Sequence, residues 1–246
     1  MAIDVPWNVV HNYIGFPVLL FIGIDTLRRN KDNDNLTSRY LGWTCILSSV
    51  ALLAFGVPAL LTHDARLLSI GTLVGDFAYA SGMLLLWLII LRAAFGSRPR
   101  VLKVMNTLFV LLTFGLYVEA LVRNLQTPYS TFIKQIEGGV ALTYTDSMWY
   151  TVLNGIDSLA LLFIGIYFWR QAGGAETSAQ KMRIRSLAAG LLCFAAAFVV
   201  TPMFTLSDQA RISFILISVG IVIIGVFNIV GSLIDRRPTQ TPPASE

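Results

Sequence analysis

Apolar and polar positions alternate along this chain in long blocks, not in the short rhythms of a soluble fold. Apolar runs occupy about 8–27, 41–61, 67–91, 101–123, 149–169, 186–205 and 211–234. At 1.5 Å per residue each is long enough to cross a hydrocarbon layer of about 30 Å as a helix. The stretches between them, such as "RRNKDNDNLTSR", "THDAR", "GSRPR" and "SDQAR", are polar and rich in helix breakers. The pattern predicts an all-α integral membrane protein with seven transmembrane helices. In the longest connector, 124–148, "TPYSTFIKQIEGG" reads as a short capped amphipathic helix ended by Gly138 and Gly139. The aromatic cluster "YTDSMWY" then leads into span five at a depth suited to the membrane interface.

Composition supports the same class. Of the 246 residues, 55% are hydrophobic and only 13% charged, with mean hydropathy +0.69. A soluble domain carries about 25% charged residues. Cys45 and Cys193 both fall inside apolar runs and read as buried free thiols. The opening "MAIDVPWNVVHNYIGF" lacks a basic leader and a small-residue cleavage site, so no cleavable signal peptide is expected.

Charge placement sets the expected orientation. Connectors one, three and five and the C-terminal end hold 14 of the 18 basic residues, among them Arg28, Arg39, Arg98, Lys103, Arg170, Arg185 and Arg237. Only Arg66, Arg123, Lys134 and Arg211 fall on the other side. Positively charged loops stay in the cytoplasm, so the N-terminus is expected outside and the C-terminus inside the cell membrane. This asymmetry accounts for the net charge of +4 without a nucleic-acid partner, and none is expected.

The chain also resembles itself. "LLFIGI" occurs at 19–24 and again at 161–166. Displacing the sequence by 142 residues aligns Trp7, Val10, Asn12, Ile14 and Arg28 with Trp149, Val152, Asn154, Ile156 and Arg170, giving eleven identities in 22 positions. Two unrelated apolar helices would share about 2 or 3. At displacements of 144 and 145, Arg39, Leu47, Ala51 and Pro58 meet Arg183, Leu191, Ala195 and Pro202, and Arg66, Gly75 and Arg92 meet Arg211, Gly220 and Arg237. The expected organisation is a three-helix repeat at 1–100, a linker helix and outer connector at 101–148, a second three-helix repeat at 149–237, and a disordered Pro/Thr/Ser-rich tail at 238–246. Parallel repeats of this kind place polar sites between the halves near the bilayer midplane.

This 3+1+3 plan resembles the architecture shared by SWEET sugar facilitators and microbial rhodopsins. Only the architecture carries over. A retinal Schiff base needs a lysine in span seven, and the four lysines lie in connectors or at span ends. For the SWEET pattern, Pro17 has Leu159 as its counterpart, and Pro58 and Pro202 sit at the outer ends of their spans.

Ionisable groups inside a bilayer are costly and are functional candidates by default. Asp76 and Asp157 fall at matched depths, roughly 12–14 Å into spans three and five. Asp76 shares a helical face with Ser69, Thr72 and Tyr79, and Asp157 shares one with Tyr150 and Asn154. Asn12 and Asn154 are the symmetric polar pair. The candidate substrate or ion site is therefore Asp76, Asp157, Asn154, Asn12, Tyr79 and Tyr150. The bland alternative is that both carboxyls bridge helices as packing groups. His11 reads as an interfacial histidine, and two histidines do not build a metal centre, so no metal or other cofactor is expected. "GTLVGDFAYASG" aligns Gly71, Gly75, Ala78 and Gly82 as a small-residue packing seam.

No nucleophile elbow, HExxH or paired-histidine motif is present, so no enzymatic activity is expected. The function expected is transport of a small polar solute or ion, with proton coupling, and the alternative is a seven-helix sensor or receptor without catalytic activity. The expected partners are the lipid bilayer, a small polar solute or cation, and further copies of the chain as a homo-oligomer.

Overall fold

The computed structural model describes residues 10–31, 35–61, 65–126, 133–136, 139–142, 148–200 and 206–235. Its elements are α1 (Val10–Arg29), α2 (Leu36–Leu61), α3 (Ala65–Phe95), α4 (Pro99–Gln126), β1 (Ile133–Ile136), β2 (Gly139–Leu142), α5 (Met148–Gln171), α6 (Ser178–Val200) and α7 (Leu206–Asp235). The protein is thus essentially helical. Four segments, Leu36–Pro58, Ile70–Phe95, Pro99–Glu119 and Ser178–Val199, are long and apolar enough to cross a membrane, and α7 contains a shorter apolar stretch, Ile215–Gly231.

Two boundaries depart from the sequence expectation. The connector after α4 holds an antiparallel hairpin where an amphipathic helix was expected, with Ile133 opposite Leu142 and Ile136 opposite Gly139. That register leaves two residues between the strands, the loop length that favours tight hairpins, and the flanking Ile and Val residues suit a pleated surface. Second, the helices outrun their apolar runs. Helix α6 starts at Ser178, so Lys181, Arg183 and Arg185 sit on its first turns and not in a loop. A helix keeps its backbone hydrogen bonds on leaving hydrocarbon, and long cationic side chains lie along it while their heads stay wet.

Helix starts are capped as their sequences suggest. Asn35 accepts a hydrogen bond from the Ser38 amide at 3.3 Å, and Thr177 accepts one from the Gln180 amide at 3.1 Å. Each satisfies an amide that the first turn of α2 or α6 would leave unpaired. Asn35, part of an Asn-Leu-Thr triplet, therefore has a structural role.

The helices pack in sequence order within two groups, α1–α2–α3 and α5–α6–α7. The groups meet along two seams, α1 against α7 and α3 against α5, while α4 lies on α3 and barely touches α5. The largest core cluster joins α3, α5 and α6 through Met83, Leu86, Ile164 and Leu191. A smaller one joins α1, α2 and α7 through Ile22, Cys45 and Ile224.

Close approach depends on missing side chains. A Cβ on Gly23 would sit 2.8 Å from the Gly42 carbonyl oxygen, and one on Gly71 would sit 2.7 Å from that of Ala54. The Gly71, Gly75 and Gly82 edge of α3 does face α2, against Pro58, Phe55 and Thr44, as a small-residue seam should.

The outer surface carries large apolar side chains throughout, including Phe21, Phe77, Leu111, Phe114, Phe163 and Val222. Water-soluble monomers rarely expose continuous apolar patches above a few hundred Å². Lipid is the solvent that matches this surface. Helix α4 shows it most clearly. It is held to α3 by Tyr117 edge-on to Phe77 (5.1 Å between ring centres) and Phe109 against Trp87 (4.9 Å), and it exposes Val104, Leu108, Leu111 and Phe114.

These contacts give an expected contrast. Gly23→Ala should lower the thermal stability of the detergent-solubilised protein, by about 1–3 kcal/mol from overpacking against backbone. Gly115→Ala, with nothing within 4 Å of the new methyl, should be neutral or stabilise by up to about 1 kcal/mol. Melting curves of the two variants provide the measurement; equal losses would contradict the packing described.

Candidate functional site

Asp157 is the tenth residue of α5, roughly 14 Å from the start of that helix and near its middle. Its side chain is only 3% exposed. On the same stripe of α5, Ala160, Leu161 and Ile164 are also buried, so the carboxyl stands at the N-terminal edge of the apolar core. Across the seam, α3 presents Tyr79, with Met83 and Leu86 one and two turns further on.

The Tyr79 hydroxyl is in hydrogen-bonding reach of the Asp157 carboxyl. The Tyr79 ring leans on Phe198 of α6, 6.3 Å away between ring centres, which limits how far the phenol can swing. Ser158, 3% exposed and itself engaged, adds a hydroxyl next to the carboxyl in sequence.

Asp76 lies on α3 one turn before Tyr79, toward the N-terminal end of the helix. It is half-buried and has a polar or electrostatic partner. Its angular position puts it on the flank of α3 that also carries Tyr79 and Met83, the side facing α5. Asp76 and Tyr79 therefore share one flank of α3, and Tyr79 is the one of the two that meets Asp157. Below them the seam is sealed by Met83, Leu86 and Ile164.

Asn12 belongs elsewhere. It is 3% exposed between α1 and α2, its Cβ 3.3 Å from where a Gly56 side chain would begin, and its Oδ1 has no hydrogen-bond partner among the described residues. Beside it, the Tyr13 hydroxyl donates to the Gly56 carbonyl at 2.7 Å. The side chains of Asn154 and Tyr150 lie outside the described residues, as do those of His11 and Ser69.

Sequence reasoning passed over several buried polar groups. Thr44 donates to the Gly82 carbonyl at 3.2 Å and Ser49 to the Phe16 carbonyl at 2.9 Å, tying α2 to its neighbours on both sides. Asn228 was not passed over: the sequence offers it, with Asn106 and Ser232, as a cytoplasmic gate or a packing group. It donates to the Ile224 carbonyl at 2.8 Å and reaches Ser186 at 3.5 Å. Arg183, expected in a connector, is half-buried against the notch left by Gly231. The only signal for these was polarity inside an apolar run, which does not say which neighbour each group would meet.

Asp25 and Arg29 form an ion pair of 2.8 Å one turn apart on α1. Among the described residues no group of three or more His, Cys, Asp or Glu could hold a metal ion. Comparison with family models, with curated proteins and with solved structures returned no match for this chain.

The Tyr79–Asp157 contact has a measurable size. A double-mutant cycle of Tyr79→Phe with Asp157→Ala should give a coupling of about 0.5–1.5 kcal/mol, the range seen for polar contacts between membrane helices. The same cycle with Tyr117→Phe, on the far side of α3, should give none.

Proposed function

We propose that this is a seven-span protein of the cell membrane that moves a small polar solute or ion, with proton coupling, through the α3–α5 seam. One observation carries the reading: a carboxyl, Asp157, buried at mid-helix on the edge of an apolar core and facing a tyrosine from the other helical group. A carboxyl is costly to bury in an apolar surrounding, and an intramembrane carboxyl at such a position is by default a pathway or relay group.

The proposed duplication sharpens this. If α1–α2–α3 is repeated as α5–α6–α7, the α1–α7 seam is the counterpart of the α5–α3 seam, and both seams are present. The matching caps Asn35 and Thr177 stand 142 residues apart, the displacement of the best-aligned segment. At the same displacement Asp157 corresponds to Gly15, and at 145 Asp76 corresponds to Ile221. Gly15 and Ile221 touch: a Cβ on Gly15 would lie 2.7 Å from the Ile221 Cδ1. In this reading the two carboxyls occupy the positions that, in the other seam, form a glycine notch plugged by isoleucine. One seam is closed by hydrocarbon and the other carries exchangeable protons. The asymmetry supports a single transport site and not two.

Both carboxyls serve as the proton or cation relay, with Tyr79 passing or orienting the proton at Asp157. Asn154 and Tyr150 are assigned to the outer approach to that site, and Asn12 to packing between α1 and α2. The test is flux in proteoliposomes under an imposed proton gradient, read by an internal pH dye across a panel of small polar solutes. Asp157→Asn and Asp76→Asn should each cut coupled proton flux by tenfold or more while the melting curve stays within a few degrees. Gradient-driven flux unchanged by both substitutions would remove the carboxyls from the mechanism.

A further inference from the structure

The inner end of the α5–α6 pair is built differently from the rest of the surface. Gly165 of α5 packs on the Ala188 carbonyl and the Leu192 side chain of α6, which fixes the register of these antiparallel helices. Moving along both helices from that contact brings Arg170 and Arg185 to the same level, each roughly 7 Å beyond it. Both are exposed. Arg185 lies over the ring of Trp169, with its guanidinium carbon 5.8 Å from the ring centre. Neither arginine forms an ion pair among the described residues. From Trp169 to Ser186 the chain carries four cationic side chains, Arg170, Lys181, Arg183 and Arg185, against one carboxylate, Glu176.

Directly along α5 from this cationic end runs an exposed apolar stripe: Ile166, Phe163 and Leu162, with Trp169, half exposed, at its head. The spacing keeps these side chains on the outward face of one helix. A cationic site able to take an anionic headgroup is thus continuous with an apolar track along α5. An arginine stacked on an aromatic ring keeps its planar fork free to donate to phosphate oxygens. A soluble anion would use the fork and leave the stripe unfilled; an amphiphile uses both.

We propose that Arg170, Arg185 and Trp169 form a binding site for one anionic phospholipid of the inner leaflet, with the headgroup phosphate between the two guanidiniums and an acyl chain along Ile166, Phe163 and Leu162. The proposal requires that α5 and α6 span a bilayer with the turn between them at the inner face, and is independent of whether the α3–α5 seam transports anything.

The test uses the full-length protein reconstituted in vesicles of equal parts phosphatidylcholine and phosphatidylglycerol, extracted in mild detergent and weighed by native mass spectrometry. The wild-type protein should retain phosphatidylglycerol in clear preference to phosphatidylcholine. Arg170→Ala and Arg185→Ala should each lower that preference by about fivefold, consistent with the attraction of one basic residue to an anionic surface. Trp169→Leu, which keeps every charge, should lower it by a smaller factor by releasing Arg185. Arg98→Ala with Arg100→Ala, two exposed cations of the α3–α4 turn, should leave it unchanged. Equal loss in that control pair would mean diffuse attraction to the whole basic rim, and overturns the site. Displacement of the lipid by soluble glycerol phosphate at similar concentration would make it a free-phosphate site and also overturns the proposal.

Discussion

The absence of water in a bilayer interior governs nearly every contact described. Backbone amides there must be bonded within their own segment, which leaves helices as the natural element and removes the backbone from further use. Side-chain polar groups face the same shortage. Thr44, Ser49, Tyr13 and Asn228 all resolve it by donating to a backbone carbonyl, and for Thr44 and Tyr13 that carbonyl belongs to a glycine of the neighbouring helix. The glycine notches and the hydroxyl bridges are therefore parts of one solution. Shaving a side chain brings the helices close, and closeness makes carbonyls available to hydroxyls. Asp157 stands apart because a carboxyl needs a donor, and the one facing it is a phenol from another helical group.

Much of this architecture was legible because lipid imposes a length on each helix and leaves it in the sequence as an uninterrupted apolar run. The hairpin was not legible. Ile133 and Ile136 stand three apart, which puts them on one face of a helix but on opposite faces of a strand. Spacing alone therefore favours the helix, and the pairing with Leu142 and Gly139 further along decides for the strand. Local periodicity cannot contain that information. The helix starts were misplaced for a related reason: polarity marks where hydrocarbon ends, and Ser178 to Arg185 continue the helix beyond it.

The site was half legible. Asp76 and Asp157 stand out as charges in apolar surroundings, and Tyr79 follows from Asp76 by helical spacing. That Tyr79 meets Asp157 depends on how α3 and α5 slide against each other, a register set by Met83, Leu86 and Ile164 interlocking. Ser158 escaped notice since serine is common at helix interfaces, and its burial becomes visible only when the seam is assembled. Asn12, paired in the sequence with Asn154, lies on α1 against α2, away from the carboxyls.

The hairpin between α4 and α5 has a mechanical meaning. Twenty-two peptide steps separate Gln126 from Met148, enough when extended to reach about 75 Å. Because Ile133 is paired with Leu142, the chain between them returns to within one strand spacing of where it left, about 5 Å. The slack falls to about 50 Å. Helix α4 packs on α3 and only lightly on α5, so the paired strands shorten the reach of the chain that joins it to the second group of helices.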